Sequence, residues 1–155
     1  MSEWIIRPLV GVGPLDFGML RSTISAQLGP PRSQRQYAPD DLRESRGQGA
    51  RGYDVILGYD PERLTDATFP SRPNGVTVFG LDVFTTDPDR LVARLKQENG
   101  GAYAVVQDTL FAFERLGIVL SDWDDRDSSD RWLAAGSAKG YGIMVGSGGP
   151  DRIET

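Results

Sequence analysis

The sequence predicts an α+β fold: an antiparallel sheet with short helices packed on one face. Three observations predict it. Short β-rich alternating segments recur along the 155 residues. Only two segments carry helix punctuation, and each precedes a run of strand-like segments, the order expected of α+β domains. With Gly 19 and Pro 10, turns are frequent and elements must be short.

The elements follow in order. Trp4 to Val10 reads as a strand ending near Gly11 and Gly13. A helix over residues 20–28 follows. Leu20, Ile24 and Leu28 lie four apart and should share the face turned to the sheet. Gly29 suits a positive-φ stop, and Pro30 and Pro31 forbid continuation. Residues 32–52 are polar and lack an apolar period, so they read as a long loop or arm, with one helical turn at most over 39–44. Tyr53, Val55, Leu57 and Tyr59 alternate onto one face of a strand, and Arg63 to Phe69 forms the next.

A loop over 71–75 leads into a strand from Gly75 to Phe84. Asp87 then caps a second helix, with Pro88 at its first position and Asp89 at the positive end of its dipole. Leu91, Val92 and Leu95 form its apolar face, and Gly100-Gly101 closes it. Tyr103 to Val106, Leu110 to Glu114 and Leu116 to Leu120 read as strands, with a turn near Gln107-Asp108. Ser121 to Asp130 is an acidic loop. Lys139 to Val145 reads as a last strand, with Tyr141, Ile143 and Val145 on one face, and residues 147–155 as a tail. The order suggests a single domain over 1–155 built from two halves, 1–72 and 73–146. Each half has one helix followed by antiparallel strands, and each alone is marginal in size, so a shared sheet is expected.

Composition narrows the chemistry. The chain has no His and no Cys. Thiol and imidazole nucleophiles, their triads and thiolate metal sites are therefore absent from it. Net charge is −5, and residues 76–155 supply all of it, since residues 1–75 sum to zero. An acidic surface repels phosphate backbones, so a basic protein is the expected partner and nucleic acid is not. No apolar stretch approaches the ~20 residues that span a membrane. With no visible signal segment, a cytoplasmic location is expected.

One segment matches a family pattern. From Gly11-Val12-Gly13-Pro14 through Gly18-Met19 to Leu28-Gly29-Pro30-Pro31, the chain resembles the SmpA/OmlA-like group, whose fold is shared with β-lactamase-inhibitor proteins. It also resembles small cytosolic bacterial proteins of the immunity type. Val78 to Phe84 and Leu116 to Leu120 are suggestive of the same cytosolic group. The match covers about twenty residues. It departs where Leu20 replaces the usual Ser or Thr, and where Ser22-Thr23 replaces an acidic pair. The resemblance implies helix-plus-strand units, often in tandem, that act by binding other proteins and not by catalysis.

The sharpest chemical feature is the run Asp122, Trp123, Asp124, Asp125, Asp127, Asp130 and Trp132. A calcium loop starting at Asp122 fails, because Arg126 and Asp127 occupy its fifth and sixth positions and Leu133 its twelfth. Two readings remain. The run is a solvated loop whose Trp residues tuck into the core, or an acidic recognition surface anchored by Trp123 or Trp132. The glycines of 11–13 and 146–149 lack the Lys-Ser/Thr of a phosphate loop and read as turns. Asp54, Asp60, Glu62 and Glu114 could run acid–base chemistry in principle, but no cleft is foreseeable around them. The Arg-rich residues Arg32, Arg35, Arg43, Arg46 and Arg51 are diluted by Asp40, Asp41 and Glu44. No metal and no cofactor is expected. The leading expectation is a non-enzymatic immunity or inhibitor protein that occludes the basic surface of a bacterial toxin. The alternatives are a carboxylate- or metal-dependent enzyme, and an assembly protein that self-associates through a sheet edge.

Overall fold

A computed structural model describes residues 4–47, 55–70, 75–123, 130–146 and 149–155. The fold is α+β, with two sheets and three short helices. The first half runs β1 (Trp4–Arg7), β2 (Gly11–Val12), β3 (Leu15–Asp16), α1 (Arg21–Leu28), β4 (Ser33–Ala38), β5 (Asp41–Arg46), β6 (Val55–Tyr59) and β7 (Leu64–Phe69). The second runs β8 (Val76–Val78), β9 (Leu81–Asp82), α2 (Pro88–Glu98), β10 (Tyr103–Val106), β11 (Leu110–Phe113), β12 (Ile118–Ser121) and β13 (Trp132–Gly136). α3 (Ala138–Val145) and β14 (Arg152–Glu154) follow.

Both halves contribute to both sheets. The large sheet has the order β14-β10-β11-β12-β13-β7-β6-β5-β4, antiparallel throughout. The small sheet has the order β3-β2-β1-β8-β9, with β1 and β8 parallel. Each half therefore runs from small-sheet strands through a helix into a four-strand meander, and the meanders join last strand to last strand at β7 and β13. The small-sheet hairpins match in register: Val12 pairs Leu15, and Val78 pairs Leu81.

The core lies between the sheets. Trp4 of β1 meets Phe69 of β7 at 5.8 Å between ring centroids, and Ile24, Leu91 and Leu95 bring α1 and α2 into the same cluster. α3 lies across the large sheet from that core. Its Tyr141, Met144 and Val145 pack on Val106, Ala112 and Val119, the strand residues that point away from the main cluster. Helices thus cover both faces of the large sheet.

Several expectations are corrected. Residues 33–46 form the β4–β5 hairpin and not a loop. Leu42, Glu44 and Arg46 alternate inward, so β5 does have a period of two; two charged residues on the inner face conceal it. Only Ile24 of the expected α1 stripe is buried, while Leu20 and Leu28 are 42% and 39% exposed. Leu20 has extended backbone outside the helix. Gly29 does stop α1, at φ 81°.

Residues 75–84 fold back at Phe79-Gly80 into the β8–β9 hairpin, where one strand was expected. β13 was not foreseen, and it joins the two halves. Residues 139–145 are helical and not extended. Ser137 caps α3 by accepting from Gly140 N at 3.1 Å, and 141, 144 and 145 follow helical spacing. Of the expected 147–155 tail, residues 152–154 form β14 on the edge of β10.

The α2 expectations hold. Asp87 accepts from Arg90 N at 3.3 Å, and Leu91 and Leu95 are buried. Among the described residues no helix is long and apolar enough to cross a membrane.

Candidate interaction surface

The expected recognition residues divide into buried aromatics and peripheral carboxylates. Trp123 is 3% exposed. Its ring tilts against Phe84 at 5.7 Å, and the Arg131 guanidinium stands over it at 5.6 Å. Trp132 is half-buried on β13 and packs against the cluster beneath α3. Neither Trp projects from a free loop as a surface anchor, because each finds more apolar area to cover inside the fold than a short loop can offer. Asp122 is half-buried at the end of β12 with φ 63°, and its carbonyl accepts from Arg131 Nε at 3.3 Å. Asp130 is exposed. Asp124, Asp125 and Asp127 lie outside the described residues.

The fold adds carboxylates that the sequence keeps far apart. The β10–β11 turn at Gln107-Asp108 has positive φ at both residues, as a tight hairpin requires. Asp108 N donates to Asp151 Oδ2 at 2.8 Å, and Asp151 N donates to Val105 O at 2.7 Å, so the approach to β14 is fastened to this turn. Asp122 N reaches Thr109 O at 3.4 Å from the other side. The chain leaves α2 through Gly100 to Ala102 and returns along β10, which sets the start of α2, with Asp87 and Asp89, toward the same end of the sheet. A cleft lined by both Asp89 and Trp123 joins the two regions. Asp87, Asp89, Asp108, Asp122, Asp130 and Asp151 thus mark one acidic end of the molecule. Sequence reasoning identified Asp122 and Asp130. Asp108 and Asp151 carried no signal, because strand pairing alone brings them there.

Among the described residues no three carboxylates are grouped so as to hold a metal ion. The arrangement is a spread field of negative charge, which attracts and orients cationic surfaces. Beyond it, at the start of β10, burial and the facing Glu154 carboxylate push the Tyr103 hydroxyl above its ordinary range.

Two buried carboxylates elsewhere belong to the framework. Glu44, fully buried, accepts from Tyr59 Oη at 2.7 Å, Arg21 Nε at 2.9 Å and Arg46 Nη2 at 3.0 Å. Burial raises its pKa, but the donors outweigh that and hold it below the usual carboxylate range. Arg46 also donates to Gly29 O at 2.7 Å, so α1 is tied to β5 by polar contacts where its apolar stripe is thin. On the opposite face, Asp66 accepts from Arg43 Nη1 at 2.5 Å and Thr65 Oγ1 at 2.8 Å. Burial pushes its pKa up, and Arg43 only partly offsets this. Of the other carboxylates considered for acid–base work, Asp60 pairs with Lys139 at 2.5 Å in the β6–β7 turn, where Glu62 is exposed. Glu114 follows β11 in the other half, and Asp54 lies outside the described residues. Asp60 and Glu62 thus share one turn, and Glu114 lies on a different element.

No family model, curated protein or solved structure matches the chain.

Proposed function

We propose that the chain is a non-enzymatic protein-binding module of the immunity or inhibitor type. It neutralises a bacterial toxin by covering a basic catalytic or substrate-binding surface with its acidic end. One observation carries the reading: strand pairing gathers Asp108, Asp122 and Asp151 at the end of the sheet toward which Asp87 and Asp89 of the α2 start are turned. The whole −5 charge of the chain also lies in the half that forms this end. Such a field speeds encounter with a basic protein, disfavours nucleic acid and does not by itself supply a reaction. A toxin-neutralising role places the module in the cytoplasm of the cell it protects.

The test is to express the products of the adjacent open reading frames and measure their binding to this protein by calorimetry over a salt series. A basic product that binds, weakens steeply with salt, and loses toxicity on coexpression supports the reading. Neighbours that all fail to bind, or a complex indifferent to salt, would overturn it.

A further inference from the structure

A cleft of about 220 Å³ opens on the face of the large sheet that carries α3, at the end of the β10–β11 hairpin away from the Gln107-Asp108 turn. Strand register builds its floor. Ala104 lies between Ile153 of β14 and Ala112 of β11, its partners in the two flanking strands. Tyr141 of α3 stands on the far side. Two alanines between larger side chains leave a trough that α3 does not fill. Its rim is open to solvent: Ile153 is 56% exposed, and Glu114 and Arg115, on the single helical turn after β11, are exposed as well. The volume lies below the ~300 Å³ at which drug-sized sites begin, so a ligand here has few heavy atoms.

The charged groups that line the cleft are unpaired. Glu114 and Arg115 are neighbours on one turn, so their side chains diverge. Neither side chain makes an ion pair or a hydrogen bond among the described residues. The Arg115 guanidinium rests instead on Gly100, where a Cβ would lie 3.0 Å from Arg115 Cζ, and the Arg115 amide donates to Asn99 Oδ1 at 2.9 Å. Backbone packing, and not a carboxylate, sets where this cation stands. Burial and the Glu114 carboxylate raise the Tyr141 hydroxyl above its ordinary range, so it stays protonated and is able to donate. It too makes no hydrogen bond among the described residues. The cleft thus presents a cation, a carboxylate and a hydroxyl around an apolar floor, all within the span of one small ligand.

We propose that this cleft binds a free α-amino acid with an aliphatic side chain. The ligand carboxylate pairs with the Arg115 guanidinium and accepts from Tyr141 Oη. The ammonium pairs with Glu114, and the side chain lies on Ala104 and Ile153. A ligand of one sign fits worse. A phosphate or a simple carboxylate meets Glu114 without compensation, and a simple amine meets Arg115. A zwitterion carries both charges a few bonds apart and satisfies two residues that do not satisfy each other. A guanidinium also suits the carboxylate end, because its planar fork matches the two oxygens. The cleft stands at the other end of the β10–β11 hairpin from the acidic turn, and the assignment does not depend on the protein-binding reading above.

The probe is L-leucine, titrated into the full chain at neutral pH. The readout is the backbone amide resonances of Ala104, Ala112 and Ile153 in nitrogen-15 NMR spectra. The controls are isocaproate, which lacks the ammonium, isoamylamine, which lacks the carboxylate, and glycine, which lacks the side chain. Leucine should shift these signals saturably at millimolar concentration. Each control should bind about tenfold more weakly or not at all, the loss expected from one charged hydrogen bond or from the apolar contact. Arg115→Gln and Glu114→Gln, both at exposed positions, should each weaken leucine about tenfold and leave the melting temperature unchanged. No saturable shift, a control that binds as tightly as leucine, or wild-type affinity in either variant would overturn the assignment.

Discussion

At the residue scale, Gly58 is held by charge on both sides, since it lies between Arg43 and Asp66 in adjacent strands. A Cβ there would sit 2.6 Å from Arg43 Nη1 and 2.7 Å from Asp66 Oδ1. The missing side chain is what lets the ion pair span β6. Gly58→Ala should therefore destabilise the protein by about 3 kcal/mol, as breaking a buried pair does. Gly142 gives the opposite case. It lies inside α3 with nothing near its Cβ position, so Gly142→Ala should stabilise by about 0.5–1 kcal/mol. Urea unfolding of both variants checks the pair.

The two buried carboxylates predict opposite pH behaviour. The folded pKa of Glu44 is lowered, so its stabilisation is full above the unfolded value near 4.5 and is lost as pH falls through the folded value. Glu44→Gln should cost on the order of 3 kcal/mol at neutral pH and remove that acid-side loss. The folded pKa of Asp66 is raised above 3.8, so the folded state holds its proton longer and stability falls as pH rises through that window. Asp66→Asn should flatten this second slope. Denaturation curves taken at intervals between pH 3 and 7 separate the two.

At the element scale, α2 was legible because its signals are local. Asp87, Pro88 and the Leu91/Leu95 spacing each act within one turn of the helix. α3 was misread because Tyr141, Ile143 and Val145 also satisfy a strand period. Its Ser137 cap and the close seat of Gly140, whose Cβ would lie 2.1 Å from Thr65 O, decide for the helix. β5 was hidden for another reason: Glu44 and Arg46 are buried as a network, which a hydropathy pattern reads as exposed loop. The acidic end was half legible, since Asp122 and Asp130 are sequence neighbours but Asp108 and Asp151 meet only through β10 pairing. The sheet edges bear on self-association. β4 carries exposed Gln34, Arg35 and Gln36 with an irregularity before Ala38, and β14 spans only Arg152–Glu154. Charged, irregular or very short edges discourage strand addition. Light scattering should therefore find a monomer across the micromolar range, and a concentration-dependent dimer would revive the assembly alternative. Removing the α3 cap by Ser137→Ala should cost about 1 kcal/mol in urea unfolding.

At the scale of the whole molecule, the halves are merged in structure but unequal in charge. The first half is electrically balanced, and the buried ion pairs of Glu44 and Asp66 give part of its charge to the framework. The second half carries the surplus, and strand pairing concentrates it at one end. Charges crowded there repel one another, a small cost to folding that selection for stability alone would remove. The prediction that follows separates the two roles. The triple variant Asp108→Asn, Asp122→Asn, Asp151→Asn keeps the hydrogen-bond acceptor at Asp151 and uses a residue that tolerates the positive φ of 62° and 63° at the other two positions. Its stability should be unchanged or slightly higher. Its association rate with a basic toxin should fall by about tenfold at low salt, and that gap should close as salt screens the field. Stopped-flow association measured at two ionic strengths, beside urea unfolding of the same variant, reads both quantities. A variant that loses stability instead would make the aspartates part of the framework, and one that associates at the wild-type rate would leave the acidic end without a role in recognition.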